Sequence, residues 1–380
     1  MTEPLIYIIA GEQSGDAIGA RLMRALRVVR SDLTFAGIGG TAMAALGFES
    51  LFPMRDLAVM GLVEVLPKLF KLNRRIKETV ADIAARRPDV VVTIDAPGFT
   101  LRVLRKIAPL GLKRTHYVAP QVWAWREHRV KHYPGLWDSL LCLLPFEPAF
   151  FARHGLPGTF VGHPVLESGA DKGDGAAFRV RHGIAPEALV LTVMPGSRRV
   201  EVSKLLPILG ETLRLLPLGV VPVVPLAGPV AEAVRAGTAA WAVKPILVTD
   251  IAEKFDAYAA SNAALTKSGT STLELALASV PMLVTYRVHP ITAWIVRRTV
   301  KVKYASLLNL LAERPVIPEL IQEDCTPEKL ASELQVLLTD QAAGAAQVSA
   351  YRPVLEALRP PEGLPSEAAA AAVLALLTQA

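Results

Sequence analysis

Cysteine is scarce: 380 residues hold only Cys142 and Cys325, far apart and outside any metal-ligand spacing. That argues against a disulfide framework and a zinc site, and both thiols are expected to be buried or inert. Long uncharged runs are also missing. The longest, Leu215 to Ala231, is broken by Pro217, Pro222, Pro225 and Pro229, which a membrane-spanning helix would hardly tolerate. The N-terminus has Glu3 and no early Lys or Arg, and the apolar run Leu5 to Ala10 is too short for a signal-peptide core, so a cytoplasmic location is expected. No fixed-period repeat and no true low-complexity tract is present, although Glu367 to Leu377 is alanine-rich.

What the chain does have is apolar mass. Hydrophobic residues make up 52% and charged residues 20%, a balance of compact folded proteins with an apolar bias. A length of 380 residues favours two domains, each large enough to bury its own core. The net charge of +6 suits nucleic acid, anionic lipid or a phosphorylated substrate, and does not choose among them.

Short β-rich runs alternate with helical patterns: Leu5–Ala10, Val90–Ile94, His116–Val118 and Leu140–Leu144, then Leu189–Val193, Val220–Leu226, Ile246–Thr249 and Met282–Thr285. This βα repetition predicts parallel sheets. The Gly/Asp-rich segment Ser168 to Gly175 suits a connection between domains, which places the boundary near residue 167. After Thr285 the pattern is mainly helical, Thr326-Pro327-Glu328 reads as a helix start, and the tail from 326 to 380 is expected to pack back on the first domain. In doubly wound sheets ligands bind beyond the carboxyl ends of the strands, so the chemistry is sought in those loops.

The first strand runs into Gly11-Glu12-Gln13-Ser14-Gly15-Asp16, with a helix expected from about Ala17. Its amides suit an anion or sugar; a tight turn capped by Asp16 is the alternative. Asp95-Ala96-Pro97-Gly98 puts a carboxylate at the mouth of the sheet, either as a base or as a cap of a helix starting near Phe99. The stretch His116 to Arg126 brings Trp123 and Trp125 into a cleft-side loop, fit for sugar or acyl contacts or else simply core. In the second half, Pro195-Gly196-Ser197-Arg198-Arg199 has the make-up of a diphosphate binder or of a solvated turn. Thr266 to Glu274 forms a second such loop, in which Ser271-x-x-Glu274 has capping-box spacing. Finally, Val59 to Lys77 is both apolar and basic. Leu62, Val65, Leu66, Leu69 and Ile76 follow a core-facing helical spacing, Val59, Met60, Val63 and Phe70 are surplus, and Lys68, Lys71, Arg74, Arg75 and Lys77 form a basic cluster. An interfacial helix on anionic lipid and an ordinary helix with a solvated basic side both fit.

Taken in order, Ala10–Asp16, Met60–Pro67, Ile94–Pro97, Pro120–Arg126, Leu144–Pro148, Val161–Pro164, Pro195–Arg198, Ser268–Glu274 and Leu307–Leu311 resemble the motifs of the lipid-A-disaccharide synthase family. The series covers roughly residues 5 to 330; Gln13 replaces a more usual small residue and Met194 a frequent Leu. The resemblance implies a GT-B-like α/β fold of two Rossmann-like, doubly wound parallel-sheet domains with an interdomain cleft and C-terminal helices. The first domain (1–167) would serve the acceptor and the membrane, and the second (168–325) the UDP-sugar. It implies an inverting glycosyltransferase with no cofactor and no metal. The enzyme would join UDP-2,3-diacylglucosamine to 2,3-diacylglucosamine 1-phosphate (lipid X) through a β-1,6 bond and release UDP. Asp95 would be the base. Ser197, Arg198, Gly269, Thr270, Glu274 and Asn309 would hold the nucleotide, and Ser14, Gly15 and Asp16 would line the cleft. Val59, Met60, Val63 and Phe70, with Lys68, Lys71, Arg74 and Arg75, would dock the protein peripherally on the inner membrane. Nucleic acid is not an expected partner, and self-association into a homodimer stays open. A UDP-N-acetylglucosamine 2-epimerase of the same architecture is the alternative.

Overall fold

The computed structural model describes residues 3–57 and 65–378, without the side chains of 65–69 and 295. Among the described residues, twelve strands form two parallel sheets of six. The first holds β1 (Leu5–Ala10), β2 (Thr34–Ile38), β3 (Val90–Ile94), β4 (Lys113–Tyr117), β5 (Ser139–Cys142) and β6 (Gly158–Phe160) in the order β2-β1-β3-β4-β5-β6. The second holds β7 (Val190–Met194), β8 (Val221–Pro225), β9 (Ile246–Val248), β10 (Ala263–Lys267), β11 (Met282–Tyr286) and β12 (Glu319–Ile321) in the order β12-β11-β10-β7-β8-β9. Of these, β2, β6, β10 and β12 are absent from the sequence expectation. Two of them, β6 and β12, have three residues and β2 carries Gly37, so hydrophobic periodicity gives these three little signal.

The chain divides into two compact units, 1–164 with 358–380, and 165–357. In the first, alternate residues of one strand serve opposite faces: Tyr7 and Ile9 join one core, Ile6 and Ile8 the other. Burial on both sides explains why β1 and β3 read as continuous apolar runs. The helix Pro365–Leu377 seals the second of these faces with Ala369, Ala370, Val373 and Leu376.

The tail expected from 326 to 380 is therefore split. Leu330, Leu334, Leu337 and Leu338 of the helix Pro327–Thr339 complete the core of the second unit. In the helix Gln341–Ala357, Tyr351 donates to the Val280 carbonyl at 3.2 Å. Only the segment after Ala357 returns to the first unit. The amphipathic leucine spacing decides this, since it needs an apolar face and the second sheet supplies one. Cys142 and Cys325 are free and buried. Among the described residues no helix is long and apolar enough to cross a membrane.

Candidate active site

In the first sheet the direction of winding reverses between β1 and β3, which lie side by side. Their following loops open the crevice where such folds bind ligands. Gly11, after β1, is forced to be glycine by the loop after β3: a Cβ there would lie 2.4 Å from the Ala96 Cβ. Asp95 and Ala96 both adopt left-handed backbone, with φ of 48° and 47°, a strained arrangement for two successive non-glycine residues. It is pinned by the Asp95 amide donating to the Tyr117 carbonyl at 2.9 Å. The Thr100 hydroxyl adds bonds to the Asp95 and Ala96 carbonyls at 2.7 and 3.0 Å.

The turn projects a half-buried Asp95 carboxylate. Burial, and next the nearby Glu12 carboxylate, push its pKa above the ordinary carboxylate value, while a bond from the Ala96 amide pulls the other way. The following helix spans Pro97–Ile107 and takes no side-chain cap, so the capping role open to Asp95 is not the one it fills. Glu12, which the sequence did not single out, is the N-cap residue of the helix Gln13–Val29 and makes no side-chain capping bond.

The neighbouring motif residues separate. Ser14 is exposed and Gly15 is buried against Ile94. Asp16, expected to line the cleft or to cap its own helix, does neither. Its carboxylate is 3% exposed and accepts from the amides of Gly40, Ala42 and Met43 at 2.7, 2.8 and 3.1 Å, which ties down the loop after β2. The helix it was expected to cap begins four residues earlier than Ala17, at Gln13.

The tryptophan loop divides too. The Trp123 indole donates at 3.1 Å to Glu147, whose other oxygen accepts from the Leu143 and Leu144 amides at 2.9 and 3.0 Å. Burial pushes the Glu147 pKa up to about 7 despite these bonds. Trp125 is exposed, with the Arg126 guanidinium 3.5 Å from its ring centroid. His116 is a core residue: buried, stacked on Trp137 and bonded to the Thr93 hydroxyl at 2.8 Å, with burial lowering its pKa to about 3. Asp95, Trp125 and Arg126 line one cavity of about 650 Å³ within this unit.

In the second sheet the winding reverses between β7 and β10, again neighbours, with Met194 opposite Thr266. The expected nucleotide residues follow these two strands. Ser197 and Arg198 are exposed on the loop after β7. A buried carboxylate missed by the sequence reading organises that loop. Glu201 accepts from the Ser197 and Arg198 amides at 3.0 and 3.2 Å and from the Arg198 guanidinium at 3.3 Å, with Lys267 at 3.7 Å. Gly196, at φ 114°, leaves it room, since a Cβ there would meet Glu201 Oε2 at 2.6 Å. Glu201 supplies one half of a capping box, accepting from the amide of the N-cap residue Arg198, but a guanidinium cannot accept in return, so the Ser/Thr signature that would have marked it is absent from the sequence.

Thr270 is exposed at the start of the helix Ser271–Leu277, beside Gly269. Glu274 is not spent in a capping box. One of its oxygens takes Lys254 at 3.0 Å and the Tyr258 hydroxyl at 3.3 Å. Asn309, expected to touch nucleotide, is 1% exposed and satisfied within the protein. It accepts from the Val316 and Ile317 amides at 2.7 and 2.9 Å and donates to the Ile317 carbonyl and Glu319 at 2.9 and 2.7 Å. Such an amide holds a loop rather than a ligand.

Of the expected docking residues, Val59, Met60 and Val63 and the Lys68 side chain lie outside the described residues. Phe70 is 74% exposed on the helix Val65–Arg86, and Arg74 and Lys77 are exposed on it as well, while Leu72 and Ile76 face the core. Lys71 and Arg75 are committed elsewhere, both to Asp56. Arg75 also reaches Glu78 and stacks 4.4 Å from the Phe52 ring centroid. Arg75 is thus part of the fold rather than a free membrane contact.

Residues 6–373 match the family model described as lipid-A-disaccharide synthetase. The lipid-A-disaccharide synthase of Granulibacter bethesdensis is 57% identical, over all of both chains, and that of Gluconobacter oxydans is 56% identical, over 99% of this chain and 91% of its own. Among solved structures, the calicheamicin glycosyltransferase superposes with a TM-score of 0.57 at 14% identity, covering 100% of this chain and 99% of that one. The UDP-GlcNAc 2-epimerase from Neisseria meningitidis, bound to UDP-GlcNAc, superposes with a TM-score of 0.65 at 11% identity, covering 93% and 99%. Transferases and epimerases share this GT-B fold, so fold alone does not choose between them. The match along the chain does: the protein belongs to the lipid-A-disaccharide synthase family and is a glycosyltransferase.

Proposed function

We propose that the protein transfers the sugar of UDP-2,3-diacylglucosamine to the 6-hydroxyl of 2,3-diacylglucosamine 1-phosphate, giving the β-1,6-linked lipid A disaccharide 1-phosphate and UDP. The hydroxyl oxygen bonds to the donor's anomeric carbon as the bond from that carbon to the diphosphate oxygen breaks. The hydroxyl proton passes to Asp95, and the bonding pair leaves with UDP. Attack opposite the leaving group inverts the anomeric centre.

The observation that carries this reading is Asp95. It is a half-buried carboxylate at a winding reversal, held by a strained turn and kept more basic than usual by burial and by Glu12. A base matched to that task gains from such a shift. In the second unit, Arg198 and Ser197 offer a guanidinium and a hydroxyl to the diphosphate, where negative charge grows as the bond breaks. Gly269 and Thr270 stand at the adjacent loop, and Glu274, steadied by Lys254 and Tyr258, suits ribose hydroxyls. Glu201 positions the loop of Ser197 and Arg198, and Asn309 holds the stretch from Val316 to Glu319.

Peripheral attachment to the inner membrane follows from the acyl chains of both substrates. It is supported by the exposed Phe70, Arg74 and Lys77 on one helix. The test is direct. Purified protein is mixed with both diacylated substrates, and mass spectrometry is expected to show a tetra-acylated disaccharide monophosphate. Turnover of the donor without acceptor would replace this reading with the epimerase one.

A further inference from the structure

The cavity beside Asp95 is strongly one-sided in charge. Four guanidiniums line it: Arg102 and Arg105 from the helix Pro97–Ile107, Arg126 from the end of the tryptophan loop and Arg129 from the segment Glu127–His132 that follows. His128 and His132 add two imidazoles, and Asp95 is the only carboxylate among the described residues that line it. None of the four arginines has an ion-pair partner among the described residues. The nearby Glu127 sits instead against His154, at 3.3 Å.

The two walls are tied together where Arg105 donates to the His132 carbonyl at 3.2 Å. Arg102 and Arg105 are three residues apart and so share one helix face. Burial and the neighbouring Arg129 both work against the charge on Arg126. Four guanidiniums against one carboxylate leave an excess of positive charge that raises the energy of the site, and a dianion relieves it. Guanidiniums also match phosphate oxygens geometrically, each offering two parallel donors.

We infer that this cavity is the phosphate pocket of the acceptor: Arg102, Arg105, Arg126 and Arg129 receive a sugar 1-phosphate monoester while Asp95, on the same cavity, meets the sugar's 6-hydroxyl. The inference rests on the transfer reaction proposed above and adds to it the acceptor's orientation. The anomeric phosphate sits on C1 and the 6-hydroxyl on the carbon attached to C5, and C1 and C5 both flank the ring oxygen of glucosamine. The two groups therefore fall within reach of a single cavity carrying a base and a cationic cluster. It also explains selection of an acceptor bearing a phosphate monoester, with two negative charges near neutral pH, over an unphosphorylated sugar.

The test uses the full-length protein and compares Arg102→Gln, Arg105→Gln, Arg126→Gln and Arg129→Gln with the unaltered chain. Two acceptors are used, the diacylated glucosamine 1-phosphate and the same lipid without its phosphate, and UDP binding reports that each variant is folded. The expected result is a rise in the KM for the phosphorylated acceptor of roughly ten- to a hundredfold in at least two of the variants. Donor KM and UDP affinity should stay unchanged. With the dephosphorylated acceptor, the unaltered protein should be poor and the variants no worse. Unchanged acceptor KM in all four variants, or equal penalties with both acceptors, would overturn the pocket while leaving the transfer reaction standing. Absence of any disaccharide from the unaltered protein with the phosphorylated acceptor would instead sink the transfer reading itself, and the pocket with it.

Discussion

The two winding reversals of this chain are built on the same plan and finished in opposite ways. Beside β7 and β10 the acidic side chains are occupied: Glu201 holds two amides and a guanidinium, and Glu274 takes a lysine and a tyrosine. Beside β1 and β3, Asp95 takes one amide from its own turn, stands near a second carboxylate, and shares a cavity with arginines that have no ion-pair partner among the described residues. A crevice whose polar groups already satisfy one another is preorganised to hold a ligand still. One with unpaired charge is organised to exchange a proton and to take up an anion.

This contrast breaks most visibly if Asp95→Ala keeps its activity. Disaccharide formation is expected to fall about a hundred- to ten-thousandfold, with UDP affinity measured by calorimetry unchanged. The next largest effect belongs to the other crevice. Arg198→Gln should weaken UDP binding roughly tenfold or more, and a titration of UDP against the variant checks it.

Asn309→Ala sharpens the distinction between holding a loop and touching a ligand. Losing the buried amide leaves the Val316 and Ile317 amides unpaired, so about 2–4 kcal/mol of stability should go. Denaturant unfolding of the variant measures it, and UDP affinity should decline along with it. A loss of affinity at full stability would restore a direct contact.

The smallest effect is a pH shift. Glu12 raises the Asp95 pKa by like-charge repulsion, and a base is active only when deprotonated. Activity therefore falls as pH drops through that raised pKa. Burial, the larger cause, remains in Glu12→Gln, but the repulsion is gone, so the acid limb of kcat/KM for the acceptor should move to lower pH, as a pH–rate profile of the variant checks.

Much of this was legible in the sequence, and the remainder was hidden for identifiable reasons. Asp95 announced itself because a long β-branched run ends on it. The loops at 195–198 and 268–274 were marked by glycine and hydroxyls ahead of helices. Asp16 and Asn309 stood in family motifs and looked like ligand contacts. Their partners are backbone amides 24 to 27 and 7 to 8 residues away, and only folding brings those close. Arg75 belonged to a basic cluster by spacing, yet Asp56, 19 residues earlier, captured it. The arginine cavity was hidden because its walls come from two separate segments, Pro97–Ile107 and Glu127–His132 with the preceding Arg126, each of which reads as an ordinary solvated basic face.

The acid limb itself supplies the most direct test of Asp95 as the base. The pH profile of kcat/KM for the acceptor is compared between the unaltered protein and Asp95→Asn. The account predicts an acid limb above the ordinary carboxylate range in the former, and in the variant a slow residual rate that no longer follows it. An acid limb that persists unchanged in Asp95→Asn would contradict it and assign the proton to another group.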